Sequence, residues 1–167
     1  EYQKLTLKDA NFTELKKALR NPAGRAITAN YGINPLLGKY YQTVCANCGE
    51  QVNDAMIVCP RCESHTFIKG VSTRIQELSD SEVLFVSRPP YIHQVPLDFI
   101  PGLGPKTFER LLQAFGTEMN ILHHVTKEQL LDVVPEKLAH LIDRARNGEL
   151  SITHGGGGKY GKVLDEI

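Results

Sequence analysis

Four cysteines, Cys45, Cys48, Cys59 and Cys62, stand as two Cys-x-x-Cys pairs separated by ten residues in CANCGEQVNDAMIVCPRC. Each pair can close a tight turn whose backbone N–H groups point at sulfur, and two such turns present four thiolates to one Zn²⁺ in a tetrahedron. Gly49 supplies the positive φ that such a turn often requires after the first pair, and Pro60 fixes the start of the second. Two disulfides or a redox Cys-x-x-Cys are the competing chemistries; the duplicated spacing and a reducing compartment favour metal. Four sulfurs leave no open position for a substrate, so the expected Zn²⁺ is structural and its binding is part of the folding energy. His65 is near enough to replace a cysteine, but with the shell already filled it is expected on the surface.

The run LDFIPGLGPKTFERLLQAFG carries a second kind of chemistry. A short helix is expected to end near Ile100, Pro-Gly-Leu-Gly to turn the chain, and Pro105 to open the next helix at its first position. Gly102 and Gly104 let a ligand approach the backbone closely, where N–H groups and the helix dipole favour an anion. Lys106 adds a charge beside that site, Thr107 a hydroxyl donor, and Leu103 plugs the turn into its own core. Such a contact grips a nucleic-acid backbone and carries little sequence preference. An ordinary helix connection whose glycines serve geometry alone is the competing reading.

A third stretch, GGGGKYGKV, tests a nucleotide-binding reading and fails it. From Gly156 it matches Gly-x-x-x-x-Gly-Lys, but Val163 stands where a Ser or Thr hydroxyl must hold Mg²⁺. No nucleotide is therefore expected.

The elements that must position these groups follow from periodicity. NFTELKKALRNP reads as a helix capped by Asn11 or Thr13, with Phe12, Leu15, Ala18 and Leu19 on one side and Pro22 after its end. Residues 26 to 41 look like a linker, Met56–Val58 and Thr66–Ile68 like the strands of a small ribbon, and GVSTRIQELSD like a helix entered through Ser72 that buries Ile75 and Leu78. Pro89 and Pro90 mark the next boundary. From Leu97 to Arg146, apolar residues recur at three- and four-residue intervals, enough for four or five short helices; ELSIT then favours a strand. The expected layout is residues 1–40 as the tail of an upstream domain with a linker, 41–69 as a zinc ribbon, 70–90 as a connecting helix and linker, 91–148 as a helical hairpin domain, and 149–167 as a Gly-rich tail.

Composition sets the outer limits. With 41% hydrophobic residues in 167 the chain is globular, and a formal net charge of zero excludes a strongly basic coat without excluding a local contact surface. Through Val44 there are seven Lys or Arg against three acids, so broad attraction for polyanions would lie there. No apolar run approaches the length of a membrane span, and a soluble, cytoplasmic protein is expected. The sequence begins at Glu1 in mid-pattern and reads as a piece of something longer.

LDFIPGLGPKTFERLLQAFG closely resembles the helix-hairpin-helix motif of DNA repair proteins. These motifs usually come in pairs, and the second would fall in LLDVVPEKLAHLI, where Val134, Pro135, Glu136 and Lys137 replace the turn glycines; one working and one structural hairpin are expected. With the cysteine ribbon, RPPYIHQVPLDFIPGLGPKT and GGGGKYGKV in that order, the whole chain resembles the C-terminal part of endonuclease Q family proteins. EYQKLTLKDANFTELKKALRNP is similar to the last elements of that family's polymerase-and-histidinol-phosphatase (PHP) domain.

The resemblance implies an α+β fold, mainly helical. A small zinc ribbon would lie between a helical remnant of the PHP domain and a helix-hairpin-helix domain. It also implies a repair nuclease that nicks DNA on the 5′ side of deaminated bases or abasic sites. The catalytic metal centre would lie upstream of Glu1, leaving this piece without catalytic residues and with DNA as its partner. Gly155, Gly156, Gly157 and Gly158 would then fold over a DNA backbone or a displaced base, with Lys159 meeting phosphate and Tyr160 stacking; a flexible tail is the alternative. Two other functions compete: an accessory module of another repair enzyme such as a helicase, and a protein-docking module using the ribbon and an exposed IHQVP region.

Overall fold

Short polar caps and glycines delimit elements too short to stand alone. In chain order they are β1 (Tyr2–Leu5), α1 (Phe12–Arg20), β2 (Ile27–Ile33), β3 (Val44–Cys45), β4 (Phe67–Ile68), α2 (Val71–Leu78) and β5 (Tyr91–Gln94). They continue as α3 (Pro105–Phe115), α4 (Glu118–His123), α5 (Lys127–Leu131), α6 (Glu136–Asn147), β6 (Ile152–Thr153) and β7 (Lys162–Val163). Single 3₁₀ turns occupy Pro35–Leu37 and Leu97–Phe99. This computed structural model describes residues 2–20, 26–53, 55–79 and 89–164. The fold is mixed α+β. Pro22, residues 80–88 of the connecting stretch and the last three residues lie outside the described residues. Among those described, no helix is long and apolar enough to cross a membrane.

The chain forms two units, residues 1–33 with 80–94, and residues 34–79 with 95–167. In the first, β1 pairs antiparallel with β2, β5 pairs parallel with β2, and a register shift falls between Lys4 and Leu5. Asn11 caps α1, its Oδ1 accepting the Glu14 N–H at 3.0 Å. Ala18 is the buried residue of that helix, while Phe12 and Leu19 are exposed. The stretch expected as a linker instead supplies β2 and a 3₁₀ turn, because Ile27–Ile33 finds partners on both edges. The IHQVP region is not an exposed loop: it begins in β5, and Gln94 and Val95 are buried.

In the second unit the helical half is built around Leu97, Leu111, Ile121, Leu130, Leu141 and Ile142, all fully buried. Gly116 at φ 83° stops α3, and Thr117 caps α4 by accepting the Asn120 N–H. Thr126 and Gln129 form a reciprocal capping box on α5, and Gly148 at φ 72° ends α6. The Arg146 guanidinium on α6 donates to the carbonyls of Leu122, Ile121 and Val125 at 2.9, 3.1 and 2.6 Å, satisfying acceptors left open at the end of α4. The element expected before the turn at Ile100 is only a 3₁₀ turn, held by Phe99 and Ile100 N–H groups.

The other half of this unit is the cysteine ribbon with α2. Met56–Val58 forms no strand; β3 pairs with β4, and Val44 also bridges Gln51 antiparallel. Helix α2 is entered at Gly70 rather than Ser72. A Cβ on Gly70 would collide with the backbone of Tyr41–Thr43, and its N–H donates to buried Thr43 Oγ1 at 2.8 Å. The helix buries none of its residues: Ile75 and Leu78 are 60% and 62% exposed, against expectation, because α2 is held by its first turn, where Val71 and Ser72 N–H groups bond the carbonyls of Tyr40 and Tyr41.

Candidate metal cluster and anion-binding turn

The two cysteine turns converge. Gly49 N–H donates to the Cys45 carbonyl and Glu63 N–H to that of Cys59, each at 2.9 Å, so the two Cys-x-x-Cys pairs fold in the same way. Cys45 Sγ lies 3.5 Å from Cys62 Sγ, and Cys48 Sγ 3.6 Å from Cys59 Sγ; all four sulfurs fall within 4.8 Å of one another. A tetrahedron with metal–sulfur bonds of about 2.3 Å puts its sulfurs about 3.8 Å apart, so the set fits a metal ion such as zinc. These separations are far beyond a disulfide's, about 2 Å. His65 stands aside, exposed, its Nδ1 3.0 Å from the Ile57 carbonyl.

Electrostatics favour a cation here. The N–H groups of Cys48 and Asn47 point at Cys45 and, despite the opposing cost of burial, hold its thiol down at about 6. The Asn47 side chain and the Ser64 N–H lower Cys62 in the same way. At Cys48 the Glu50 N–H also lowers the thiol, but burial and the three neighbouring sulfurs overcome it and push the group up to about 12. Four thiolates this close cannot all ionise without a cation between them.

The second turn also shows a departure the sequence did not reveal. The first turn places Gly49 at φ 75°, whereas the second places Glu63, a residue with a Cβ, at φ 57°. That conformation costs a non-glycine residue about 1 kcal/mol. Glu63→Gly is expected to raise stability by about that amount, read as a higher denaturation midpoint at unchanged slope.

In the glycine turn before α3, Gly102 takes φ 80° and Leu103 is buried, its N–H donating to the Ile100 carbonyl at 3.1 Å. Gly104 is the N-cap of α3 and makes no side-chain cap; Pro105 follows at the first helical position. The Thr107 and Phe108 N–H groups both turn back to the Gly104 carbonyl, at 3.0 Å. The N–H groups of Gly102, Gly104 and Lys106 have no acceptor among the described residues, and all three residues are exposed. Gly104 has an ordinary φ of −82°, and a Cβ there would meet nothing within 4 Å. The fold therefore has no need of glycine at 104, although an N-cap usually carries a side-chain acceptor.

The equivalent turn before α6 lacks these features. Val134 is buried much as Leu103 is, but Pro135 occupies the cap without an N–H, and the exposed Glu136 carboxylate stands at the helix start. That carboxylate is itself the negative group the helix dipole favours at this end.

The Gly-rich stretch is an antiparallel hairpin, β6 with β7, laid against residues 36–44 of the same unit. Gly155 N–H donates to Leu36 O, Gln42 N–H to Gly155 O, Gly158 N–H to Lys39 O and Gly161 N–H to Leu37 O, at 2.8 to 3.0 Å. A Cβ on Gly155 would strike the Gly38 carbonyl, and one on Gly156 would come within 2.7 Å of the Gln42 carbonyl. Gly157 and Gly158 take φ 59° and 87°. Packing and turn geometry thus account for all four glycines, and the flexible-tail alternative does not hold. Lys159 and Tyr160 remain exposed. Lys39, Phe99 and Lys162 join them in space, which nothing in their sequence neighbourhoods signalled.

No protein-family model matches the chain. It is 52% identical over 163 residues to the uncharacterised protein YqxK of Bacillus subtilis, covering 98% of this chain and 42% of that one. It is 35% identical over 169 residues to the uncharacterised protein MJ0043 of Methanocaldococcus jannaschii, covering 92% and 21%. Among solved structures it matches the lesion-specific endonuclease PfuEndoQ from Pyrococcus furiosus with a TM-score of 0.78 at 35% identity, covering 95% of this chain and 43% of that one. An endonuclease Q complex with a 27-mer duplex substrate carrying an abasic lesion at the active site matches equally well, with a TM-score of 0.78 at 34% identity, covering 95% and 44%. The chain thus spans less than half the length of each of these proteins. Its resemblance to endonuclease Q, read first from motif order, holds in three dimensions: over nearly its whole length the chain shares fold and about a third of its sequence with a segment of that enzyme, consistent with the C-terminal part of the endonuclease Q family.

Proposed function

We propose that this chain is the DNA-gripping region of a repair endonuclease that nicks DNA 5′ of deaminated bases or abasic sites. The turn from Gly102 to Thr107 acts as a helix-hairpin-helix contact on one phosphate backbone. Gly104 carries this reading. It is exposed, unneeded by the fold, and flanked by N–H groups without acceptors at the start of an eleven-residue helix, which is what a close approach by a phosphate requires. The likeness to an enzyme solved with duplex DNA supports it.

The residues present divide the work. Lys106 adds charge at the N-terminus of α3, Leu103 anchors the turn, and the turn before α6 completes the core without holding phosphate. The four cysteines fit structural Zn²⁺, which would supply cross-linking of the ribbon and no chemistry on substrate. Hydrolysis belongs to a metal centre of the parent protein outside these residues, in a PHP domain of which β1 and α1 are the last elements. Within the described residues the four cysteines are the only metal-competent cluster.

An anisotropy titration of the zinc-loaded chain on an intact duplex and on the same duplex with an abasic site or deoxyinosine, at two salt concentrations, tests this. Equal affinity falling steeply with salt is expected. A preference for the damaged duplex would move lesion recognition into this chain, and no binding at low salt would end the reading in favour of protein docking.

A further inference from the structure

Two short sulfur contacts in the cysteine cluster run across its turns: Cys45 Sγ to Cys62 Sγ at 3.5 Å, and Cys48 Sγ to Cys59 Sγ at 3.6 Å. They share no cysteine, so they divide the cluster into two complete pairs. Each pair joins unlike partners. Cys45 and Cys59 are buried, at 1% and 0% exposure, while Cys48 and Cys62 are half-buried and reach solvent. Their surroundings are open, since Asn47 and Gly49 beside Cys48 and Arg61 and Glu63 beside Cys62 are all exposed. A small oxidant therefore reaches one sulfur of each pair and finds the other buried directly behind it, the arrangement of an attacked and a resolving cysteine. Each pair has only to close by about 1.5 Å to reach the S–S length of a disulfide, about 2 Å.

We propose that this cluster is a site of peroxide oxidation, at which Cys48 and Cys62 are attacked and Cys59 and Cys45 resolve them into Cys48–Cys59 and Cys45–Cys62 disulfides, with loss of the metal. The proposal rests on the reading of the four cysteines as a zinc site and is independent of the DNA-binding reading. The Cys62 thiolate attacks one oxygen of hydrogen peroxide; the O–O bond breaks, hydroxide leaves, and the sulfur becomes a sulfenic acid. The Cys45 thiolate then attacks that sulfur, forming the S–S bond and expelling a second hydroxide. One peroxide is reduced for each disulfide made, its two oxygens taking two electrons from the two sulfurs. With two of its four ligands spent, the remaining pair no longer closes a tetrahedral shell around the ion. Cys48 and Cys59 consume a second peroxide in the same way.

The test treats the zinc-loaded wild-type chain with hydrogen peroxide, follows zinc release with a metallochromic indicator, and maps disulfides by mass spectrometry of alkylated, non-reduced peptides. Near-complete release of the zinc is expected, with the two cross-turn disulfides as the dominant linkages. Dimedone added together with the peroxide is expected to trap sulfenic acid at Cys48 and Cys62 and not at Cys45 or Cys59. A dithiol reductant followed by Zn²⁺ is expected to restore the metal content and the circular dichroism spectrum. Disulfides within each Cys-x-x-Cys pair, dimedone on Cys45 or Cys59, or zinc retained at a peroxide concentration that oxidises free cysteine completely would each overturn the oxidation site while leaving the zinc reading intact. A chain that takes up no zinc in the first place sinks both.

Discussion

Stripping the metal from the purified chain with a chelator is expected to unfold the ribbon, and Cys45→Ser or Cys59→Ser to do the same without a chelator. The magnitude follows from a comparison. Structural zinc in small cysteine sites contributes about 10–16 kcal/mol of apparent free energy at neutral pH, while whole domains are stable by only about 5–15 kcal/mol. The ribbon has little else: β3 and β4 are two residues each, and beyond Val44, Val52 and the cysteines its apolar groups Met56, Ile57 and Val58 are exposed. Removing the ion also leaves four sulfurs within 4.8 Å with no cation to hold them together. One metal ion per chain by elemental analysis, lost together with a cooperative unfolding transition, is the expected result. A metal-free chain that melts at the same temperature would show that the cluster is not structural.

The damage should spread past the ribbon to the segment it supports. Gln51 Nε2 donates to the His154 carbonyl at 2.8 Å, and Tyr41 packs edge-on against His154 with ring centroids 5.4 Å apart. The β6–β7 hairpin leans on residues 36–44 by backbone hydrogen bonds. Metal loss is therefore expected to increase amide exchange at Gly155–Gly161 as well as at the cysteine turns, with the buried core of α3–α6 less affected.

Lys106→Glu is expected to weaken duplex DNA binding about tenfold and to reduce the salt slope by about one counterion, since one phosphate contact turns repulsive. Gly104→Ala is the sharper variant. A Cβ at 104 has open space and an ordinary φ, so the stability cost should stay within about 1 kcal/mol, the disadvantage of Ala against Gly at an N-cap partly offset by a less disordered unfolded chain, yet the methyl group stands where phosphate must approach. Affinity is expected to fall several-fold with the chain still fully folded at the assay temperature. Gly102→Ala makes the contrast, because φ 80° strains any residue with a Cβ and should cost about 1 kcal/mol of stability. Unchanged affinity in both Lys106→Glu and Gly104→Ala would remove the turn from the DNA interface.

Two features were legible in the sequence because each is local. The four ligands occupy eighteen consecutive residues, and tight turns with donors aimed at sulfur are a property of Cys-x-x-Cys itself. The Gly102–Thr107 turn is likewise written in adjacent residues: Leu103 inward, Pro105 opening the helix, Gly102 at positive φ. Helical periodicity also located α3 to α6, since one apolar face recurs at the pitch of a helix. The strand β2 was missed because Ile27–Ile33 is made regular by partners on both sides, one of them about sixty residues away.

Only tertiary structure decided the rest. Tyr160 meets Lys39 across more than a hundred residues, Arg146 serves carbonyls on another helix, and the hairpin of glycines is ordered by the backbone of residues 36–44. In sequence the same glycines, once Val163 had ruled out a phosphate loop, read as a DNA clamp or as a flexible tail. Composition states that a backbone can approach something closely, and only the folded chain shows that Gly155 and Gly156 lie against the backbone of Gly38 and Gln42.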